Sequence, residues 1–592
     1  MPNNLLRQPN FGALVVLVWL LVALGLLLQY WAQTAETLLG TDDAMRLVEM
    51  RAWLAGQGWF DMHTARVQPP AGYDSHWSRL IDAGLAGLYL FFQWIEPQSA
   101  ERLMRAWWPM LWLLPTIAGM AAIAWRIAGR EAAMVALLLA LAGVPAYQQF
   151  TPGRIGDHNV QIALVLLVAA TTVWSDRKIW CSAAAGALSG LALAIGFESL
   201  PYLAACGVML ALRMVADREA GVALRNYGLA LALSTPLVFL VSVGPDHWTV
   251  SRCDAIALNS AAAAVTAGLV LALAGWLQHA NGLTRFFAVA GSGLLAAAGL
   301  LLLEPRCAGG PFAMTDPAIG PVWRDHVREL QPLVTLFRDS PLTASAIAGF
   351  PALALLAMLK LLAAPKLRGD FGVLAASFVF FAAVAAMVAA IRGYSIAMWL
   401  GMPLVAVMAL QFFAAMQIER FVPRLAAGLM FTPLAISVGA ITIAHANGLS
   451  DRDNVAPPQS RQCLASAGYE SLAKLPPGLV IADIGFGPYL LALTPHSVMG
   501  APYHRVSTGI VVSHRVLASP PDDARTIVNA ARLIGSGGKP TYVVVCGSRP
   551  PDGLAEPARG RSLWARLQAG SPPAWLEPVV QGRPFQVYRV KL

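Results

Sequence analysis

The segment GTDDAMR (40–46) sets two adjacent carboxylates, Asp42 and Asp43, shortly after a long apolar run from Phe11 to Trp31. Further reactive groups gather in a few short stretches. QPPAGYDSHWSRLID carries Asp74, His76, Trp77 and Arg79, and GRIGDHNVQ carries Asp157, His158 and Asn159. GPVWRDHVRELQPL carries Glu329, AAIRGYSIAMW carries Arg392, and PHSVMGAPYHR carries His496, Tyr503, His504 and Arg505. Carboxylates and imidazoles that converge could hold a hard divalent cation through oxygen-rich ligation. A carboxylate at such a site can also take a proton from a nucleophile, and a guanidinium matches phosphate geometry. Each residue also has a plainer reading. Acids suit a first helical turn, and Asp42 with Arg46 makes an i, i+4 pair. Asp157 with Asn159 behind it resembles an N-cap, Arg392 can extend to an interface, and PHSVMGAPYHR can be a packed turn.

The elements that must position these groups are membrane helices. The chain of 592 residues is 57% hydrophobic and only 13% charged, with a mean hydropathy of +0.58. Soluble chains carry about 25% charge. Apolar runs long enough for a ~30 Å hydrocarbon core recur near 11–31, 104–124, 131–149, 159–175, 181–196, 201–214 and 228–244, and again near 259–277, 285–303, 343–363, 371–390, 395–414 and 424–445. The expected fold is therefore a polytopic α-helical membrane protein of about 13 transmembrane helices. The short pair at 181–214 is the least regular, and the apolar piece at 80–95 also suits the interface. The first run lacks a small-residue cleavage site and reads as an anchor.

Lys and Arg set the orientation. WRIAGR, SDRKIW, RMVADREAGVALR, KLRGD and QIERFVPR fall on one side, which is then cytoplasmic, and the net charge of +9 is mostly this bias. The loops 32–80 and 304–342, the shorter loops between them and everything after about 446 then face outward. Past SDRDNVAPPQSRQ, the β-rich runs GLVIADI, TYVVVC and FQVYRV alternate with Gly and Pro turns. Residues 447–592 are thus expected to form a small α/β extracytoplasmic domain after a membrane domain at 1–446. Cys253 and Cys307 fall in two outward loops, and Cys463 and Cys546 in the terminal domain. Two even pairs suggest two disulfides in an oxidising compartment. Cys181 and Cys206 lie within spans and read as packing residues.

In order and setting these motifs resemble the GT-C superfamily of membrane glycosyltransferases, and within it the catalytic subunit of oligosaccharyltransferase. GTDDAMR resembles the first acidic motif, PGRIGDHNVQIALVL the second, and VRELQP the loop motif that supplies a glutamate. IRGYSIAMWLGMPLVAVMA resembles the span whose arginine touches the donor phosphate. The pair of aspartates with YDSHW also resembles the aminoarabinose-transferase and protein O-mannosyltransferase branches. The resemblance implies inverting transfer of a sugar from a polyprenyl-phosphate-type carrier to a glycan, lipid or protein acceptor at the outer face of the inner membrane. It implies no nucleic-acid partner. Asp42 would be the catalytic carboxylate, with Asp43 second. Asp42, Asp157, His158 and Glu329 would hold a divalent metal, Mg2+ or Mn2+, and Arg392 the donor phosphate. Asp74, His76, Arg79, Asn159, His504 and Arg505 would touch substrate. The chain departs from the family at IADIGFGPYLLALTPHSVMGAPYHR, which lacks the Trp-Trp-Asp-Tyr-Gly motif that reads the acceptor sequon, so transfer to Asn-X-Ser/Thr is not implied. A transporter or flippase is the alternative. It predicts ionisable groups at the midplane and related halves, whereas these charges lie at span ends and no repeat is evident. A scaffold displaying the terminal domain would concentrate its polar chemistry there, yet most of it comes earlier.

Overall fold

In a computed structural model the chain is described at residues 10–365, 367–451, 462–547, 550–551, 553–554, 557–582 and 584–591. The linker expected at 450–462 lies outside these residues except at its ends. Each expected span corresponds to helix. α1 (Phe11–Glu36) is followed by the shorter α2 (Thr41–Leu54) and by α3 (Arg79–Ile95) at the apolar piece 80–95. α4 (Ala100–Leu141) covers two expected spans and breaks at Ala128 and Gly129. Gly129 takes φ +76° there, a conformation that side chains disfavour. α5 (His158–Trp174), α6 (Trp180–Ile195), α7 (Leu200–Ala216), α8 (Gly221–Ser242), α9 (Leu258–Trp276) and α10 (Gly282–Leu303) follow. After α11 (Leu333–Asp339) come α12 (Pro341–Ala363), α13 (Phe371–Ala389), α14 (Tyr394–Ala415), α15 (Phe421–Leu429) and α16 (Pro433–Ala446).

This is a polytopic α-helical membrane protein, but length revises the expected count of about thirteen. Among the described residues nine helices are long and apolar enough to cross, or ten when α15 and α16, bent by 51°, count as one span. α5 and α6 are 17 and 16 residues long, short of the ~20 that a straight crossing needs. Small residues let the helices approach closely, as is usual in lipid. A Cβ on Gly228 of α8 would stand 2.3 Å from the carbonyl oxygen of Gly268 on α9, so these backbones touch.

The loop between α1 and α3 is fastened from inside. Arg46 Nη1 donates to Asp82 Oδ1 at 3.0 Å, Arg79 Nη1 donates to Asp82 Oδ2 at 3.2 Å, and all three side chains are buried. Glu49 completes the network at 3.3 Å from Arg46; burial pushes its carboxyl up to about 8 although Arg46 beside it acts the other way. Removing one member of a buried ion network typically costs ~3–5 kcal/mol, because the remaining charges stay buried and unpaired. Asp82→Asn is therefore expected to destabilise the fold by about that amount, seen as early thermal unfolding in detergent. An unchanged melting temperature would show that the network carries no stability.

The C-terminal segment folds around a five-stranded sheet of order β4-β3-β5-β7-β6. β1 (His63–Thr64) and β2 (Tyr73–Asp74) pair within the first loop. β3 (Leu479–Ile481), β5 (Thr541–Cys546) and β7 (Phe585–Val590) arise from the three β-rich runs, with β4 (Ser497–Val498) and β6 (Leu576–Gln581) beside them. β3 pairs parallel with β4 and β5, whereas β7 pairs antiparallel with β5 and β6. The first loop continues this sheet. Val498 N donates to Arg66 O and Gln68 N to Val498 O, both at 2.8 Å, and the Arg66 guanidinium caps the carbonyls of Leu491, Thr494 and His496. Tyr503 Oη donates to Thr41 O at 2.9 Å, so the C-terminal segment reaches the start of α2. Both expected disulfides form, Cys253–Cys307 and Cys463–Cys546. Cys181 and Cys206 are buried free thiols.

Candidate active site

A cavity of about 2430 Å3 opens between the helices and the C-terminal segment. Asp42, Asp157, His158, Glu329 and Arg392 all line it, with Asp74, His76, His504 and Arg505. Backbone geometry explains the convergence. Asp42 opens α2, and its neighbour Asp43 turns away, with Oδ1 accepting from Ile155 N at 2.7 Å and Gly156 N at 3.2 Å and Oδ2 facing Arg154 Nη1 at 3.3 Å. These bonds pin the turn before α5 to the start of α2, which carries Asp157 toward Asp42. Asp43 is only 1% exposed, and both its oxygens are engaged by the turn before α5. The expected Asp42–Arg46 pair does not form: Arg46 bonds Glu49 and Asp82, and Asp42 has no ion pair among the described residues. Asp157 stands at the N-cap of α5, but its side chain does not cap. Its Oδ2 accepts from Gln161 Nε2 at 2.6 Å instead. Gly196 permits that bond, since a Cβ there would lie 2.3 Å from Gln161 Nε2.

The remaining groups form a chain of charge along the cavity wall. Arg392 Nη2 lies 2.6 Å from Glu198 Oε1 and 3.6 Å from Glu329 Oε1, and His158 Nδ1 lies 3.2 Å from Glu198 Oε2. Ile391 N donates to Gln331 O at 3.0 Å, which holds the Glu329 loop against the Arg392 turn. Arg392 Nε is buried with no hydrogen-bond partner. Glu198 was not singled out from the sequence. The signal was available in GFESLPY, a lone acid between two apolar runs, since acids at membrane depth are seldom idle.

Asp42 titrates far from its usual range. Burial pushes its carboxyl up to about 7, with further upward pressure from Glu329, Asp157 and Asp43. A smaller pocket of about 80 Å3 adjoins it, lined by Asp42, Asp43, Asn159 and Glu329 among others. Asn159 Oδ1 is buried there without a donor while its Nδ2 bonds Arg154 O. Crowded carboxylates beside an orphaned amide oxygen fit a hard cation. The four expected ligands nevertheless share a wall more loosely than a coordination sphere. Among the described residues, the group whose ligand atoms all lie within 4.8 Å of one another is His76, Asp254 and His504.

That second cluster sits where the first loop, the loop before α9 and the C-terminal segment meet. His504 Nε2 lies 2.6 Å from Asp254 Oδ2, and Arg505 grips the same carboxylate through Nε at 2.7 Å and Nη2 at 2.8 Å. Burial raises the Asp254 carboxyl, but the hydrogen bonds from His504 and Arg505 outweigh it and hold the group well below the usual carboxylate range. Asp254 was also missed; only its neighbour Cys253 drew notice in the sequence. Asp74 stands at the rim, 74% exposed and 2.8 Å from His63. Arg79 is a correction: it belongs to the buried Asp82 network and does not line the cavity.

No family model matches the sequence, and no curated protein sequence matches it. Solved structures do. Archaeal oligosaccharyltransferase AglB from Archaeoglobus fulgidus, in complex with an inhibitory peptide and a dolichol-phosphate, superposes with a TM-score of 0.63 at 13% identity, over 90% of this chain and 69% of that one. The apo oligosaccharyltransferase of the same organism gives 0.62 at 14% identity, over 92% and 70%. Its complex with Zn and sulfate gives 0.57 at 15% identity, over 90% and 67%. At these identities the likeness establishes the fold.

Proposed function

We propose that this chain, which has the GT-C fold, is a membrane glycosyltransferase. It moves a sugar or oligosaccharide from a polyprenyl-phosphate-type carrier to a glycan, lipid or protein acceptor. The Lys and Arg bias supports an active site and a C-terminal domain (447–592) on the outer side of the inner membrane. One observation carries the reading: a single cavity joins the Asp42 carboxylate, the Arg392 guanidinium and apolar walls contributed by α7, α8, α9 and α10. A lipid-linked phosphate asks for that combination. The solved neighbour with a dolichol-phosphate supports the donor class.

In the proposed step the acceptor nucleophile attacks the anomeric carbon from the face opposite the phosphate. The new bond to that carbon forms as its bond to the phosphate oxygen breaks, and the phosphate leaves with the electron pair. The acceptor proton passes to Asp42, whose raised pKa suits a base working near neutrality. Arg392 meets the charge growing on the phosphate, and Glu198 and Glu329 hold the guanidinium in place before donor binds. A divalent cation, Mg2+ or Mn2+, would be held by Asp42, Glu329 and Asn159 with Asp157 and His158 alongside, and when bound it would supply further positive charge at the leaving phosphate. Asp74, His76, His504 and Arg505 face the acceptor end.

The test uses the chain in proteoliposomes with a radiolabelled polyprenyl-phosphate-linked sugar and candidate acceptors. The expected result is label on the acceptor with inverted anomeric configuration, matched by release of polyprenyl phosphate. A donor that stays glycosylated with every acceptor class, or product with retained configuration, would count against the proposal.

The cation has its own signature in stability. A carboxyl raised in the folded state binds its proton more tightly there than in the unfolded chain, so Asp42 stabilises the fold at low pH and that contribution is lost as pH rises to about 7. Mg2+ or Mn2+ should refill the loss once the proton has gone. Added cation is expected to raise the melting temperature more at about pH 8 than at about pH 5. Asp42→Asn should abolish the difference. An equal shift at both pH values in wild type would remove Asp42 from the ligand set.

A further inference from the structure

We infer that His76, Asp254 and His504 form a second metal site, selective for a zinc-class transition ion and separate from the carboxylate cluster at Asp42. Their ligand atoms lie within 4.8 Å of one another, and all three residues line the cavity. Two imidazoles and one carboxylate suit a borderline-soft ion, unlike the predominantly oxygen donors around Asp42, where His158 is the single imidazole. A tetrahedral zinc site spaces its ligand atoms about 3.3 Å apart, so the group would have to contract by no more than about 1.5 Å to hold the ion. The surroundings already orient the ligands as outer partners do in zinc sites. Tyr73 Oη lies 3.5 Å from His76 Nδ1. Phe312 packs edge-on against His504 at 5.4 Å between ring centres. Asp254 follows Cys253, whose disulfide to Cys307 limits the movement of that loop.

Arg505 is the competing feature. It holds Asp254 through both carboxylate oxygens, and His504 shares Oδ2 with it. Zinc would take the places of the His504 proton and the Arg505 Nε contact at Oδ2, leaving Arg505 Nη2 on Oδ1 as an outer partner. Three protein ligands leave a fourth position for a water or a substrate oxygen, the pattern of an open zinc site. The three ligands come from three separate segments, so the ion would also fasten the C-terminal segment to the first loop.

The full-length protein, purified in detergent and stripped with a chelator, is titrated with Zn2+ and separately with Co2+. Roughly one Zn2+ per chain is expected, the stoichiometry of a single four-coordinate site, with visible Co2+ bands of tetrahedral intensity. His76→Ala and His504→Ala should each weaken Zn2+ binding by about tenfold or more, whereas Asp42→Asn should leave it unchanged. His76→Gln, which keeps the side-chain volume, guards against misfolding, with both disulfides and the gel-filtration profile as controls. Stoichiometry far below one, or Zn2+ retained in the His76→Ala/His504→Ala double variant, would reduce the cluster to an ion-pair latch. Because metal content is the readout, this result stands apart from whether the chain transfers sugar.

Discussion

Asp42→Asn is expected to lower kcat for sugar transfer by about 10²–10⁴, the range for loss of a general base, while donor binding persists. Asn has nearly the same shape, so the start of α2 and the Asp43 contacts to Ile155 and Gly156 should survive. The wild-type pH profile should carry the same information. With the Asp42 carboxyl pushed up to about 7 by burial and by Glu329, Asp157 and Asp43, the base is protonated in acid. The rate should rise with pH through that value and then level. A rate flat across neutrality, together with full turnover by Asp42→Asn, would remove Asp42 from the chemistry. Asp43→Asn makes an instructive contrast. It should cost stability and position as well as rate, since both Asp43 oxygens hold the turn before α5.

The second large effect belongs to Arg392. Arg392→Ala is expected to lower kcat/KM by about 10²–10³, comparable to losing one preorganised donor aimed at developing charge. Arg392→Lys should recover only part, because an ammonium cannot offer the paired N–H groups of a guanidinium. Loss of Arg392 also strands Glu198 and Glu329 near one another without their shared cation. A double variant, Arg392→Ala with Glu198→Gln, separates the two causes. If it regains stability but not transfer, the arginine acts on the donor. If it regains both, Arg392 serves only to neutralise the acids.

Much of this architecture could be read in the chain. Apolar runs of membrane length mark helices because lipid leaves the backbone no other partner, and helices stand near all of them. Alternation and turn residues marked β3, β5 and β7, and even cysteine counts in two regions marked both disulfides. The span count proved harder. Helices of 16 and 17 residues pass or fail a length rule that says nothing of tilt or burial. Site residues divided in the same way. Asp42, Asp157, Glu329 and Arg392 were visible because charge at the end of an apolar run is costly and so conspicuous. Arg79 looked equally conspicuous and lies in a buried network.

Composition alone thus marked which segments are helix in lipid and which few polar groups stand at their ends. Those are local properties, set by composition within about 20 residues. Which groups meet follows from how distant segments pack. Glu198 reaches Arg392 from 194 residues away, and Asp254 meets His504 from 250 residues away. Asp42 and Asp43 are neighbours in sequence, yet one faces the cavity and the other is locked to the backbone before α5. Successive helical residues point about 100° apart, so the direction of each carboxylate depends on where α2 docks, and that depends on the whole fold.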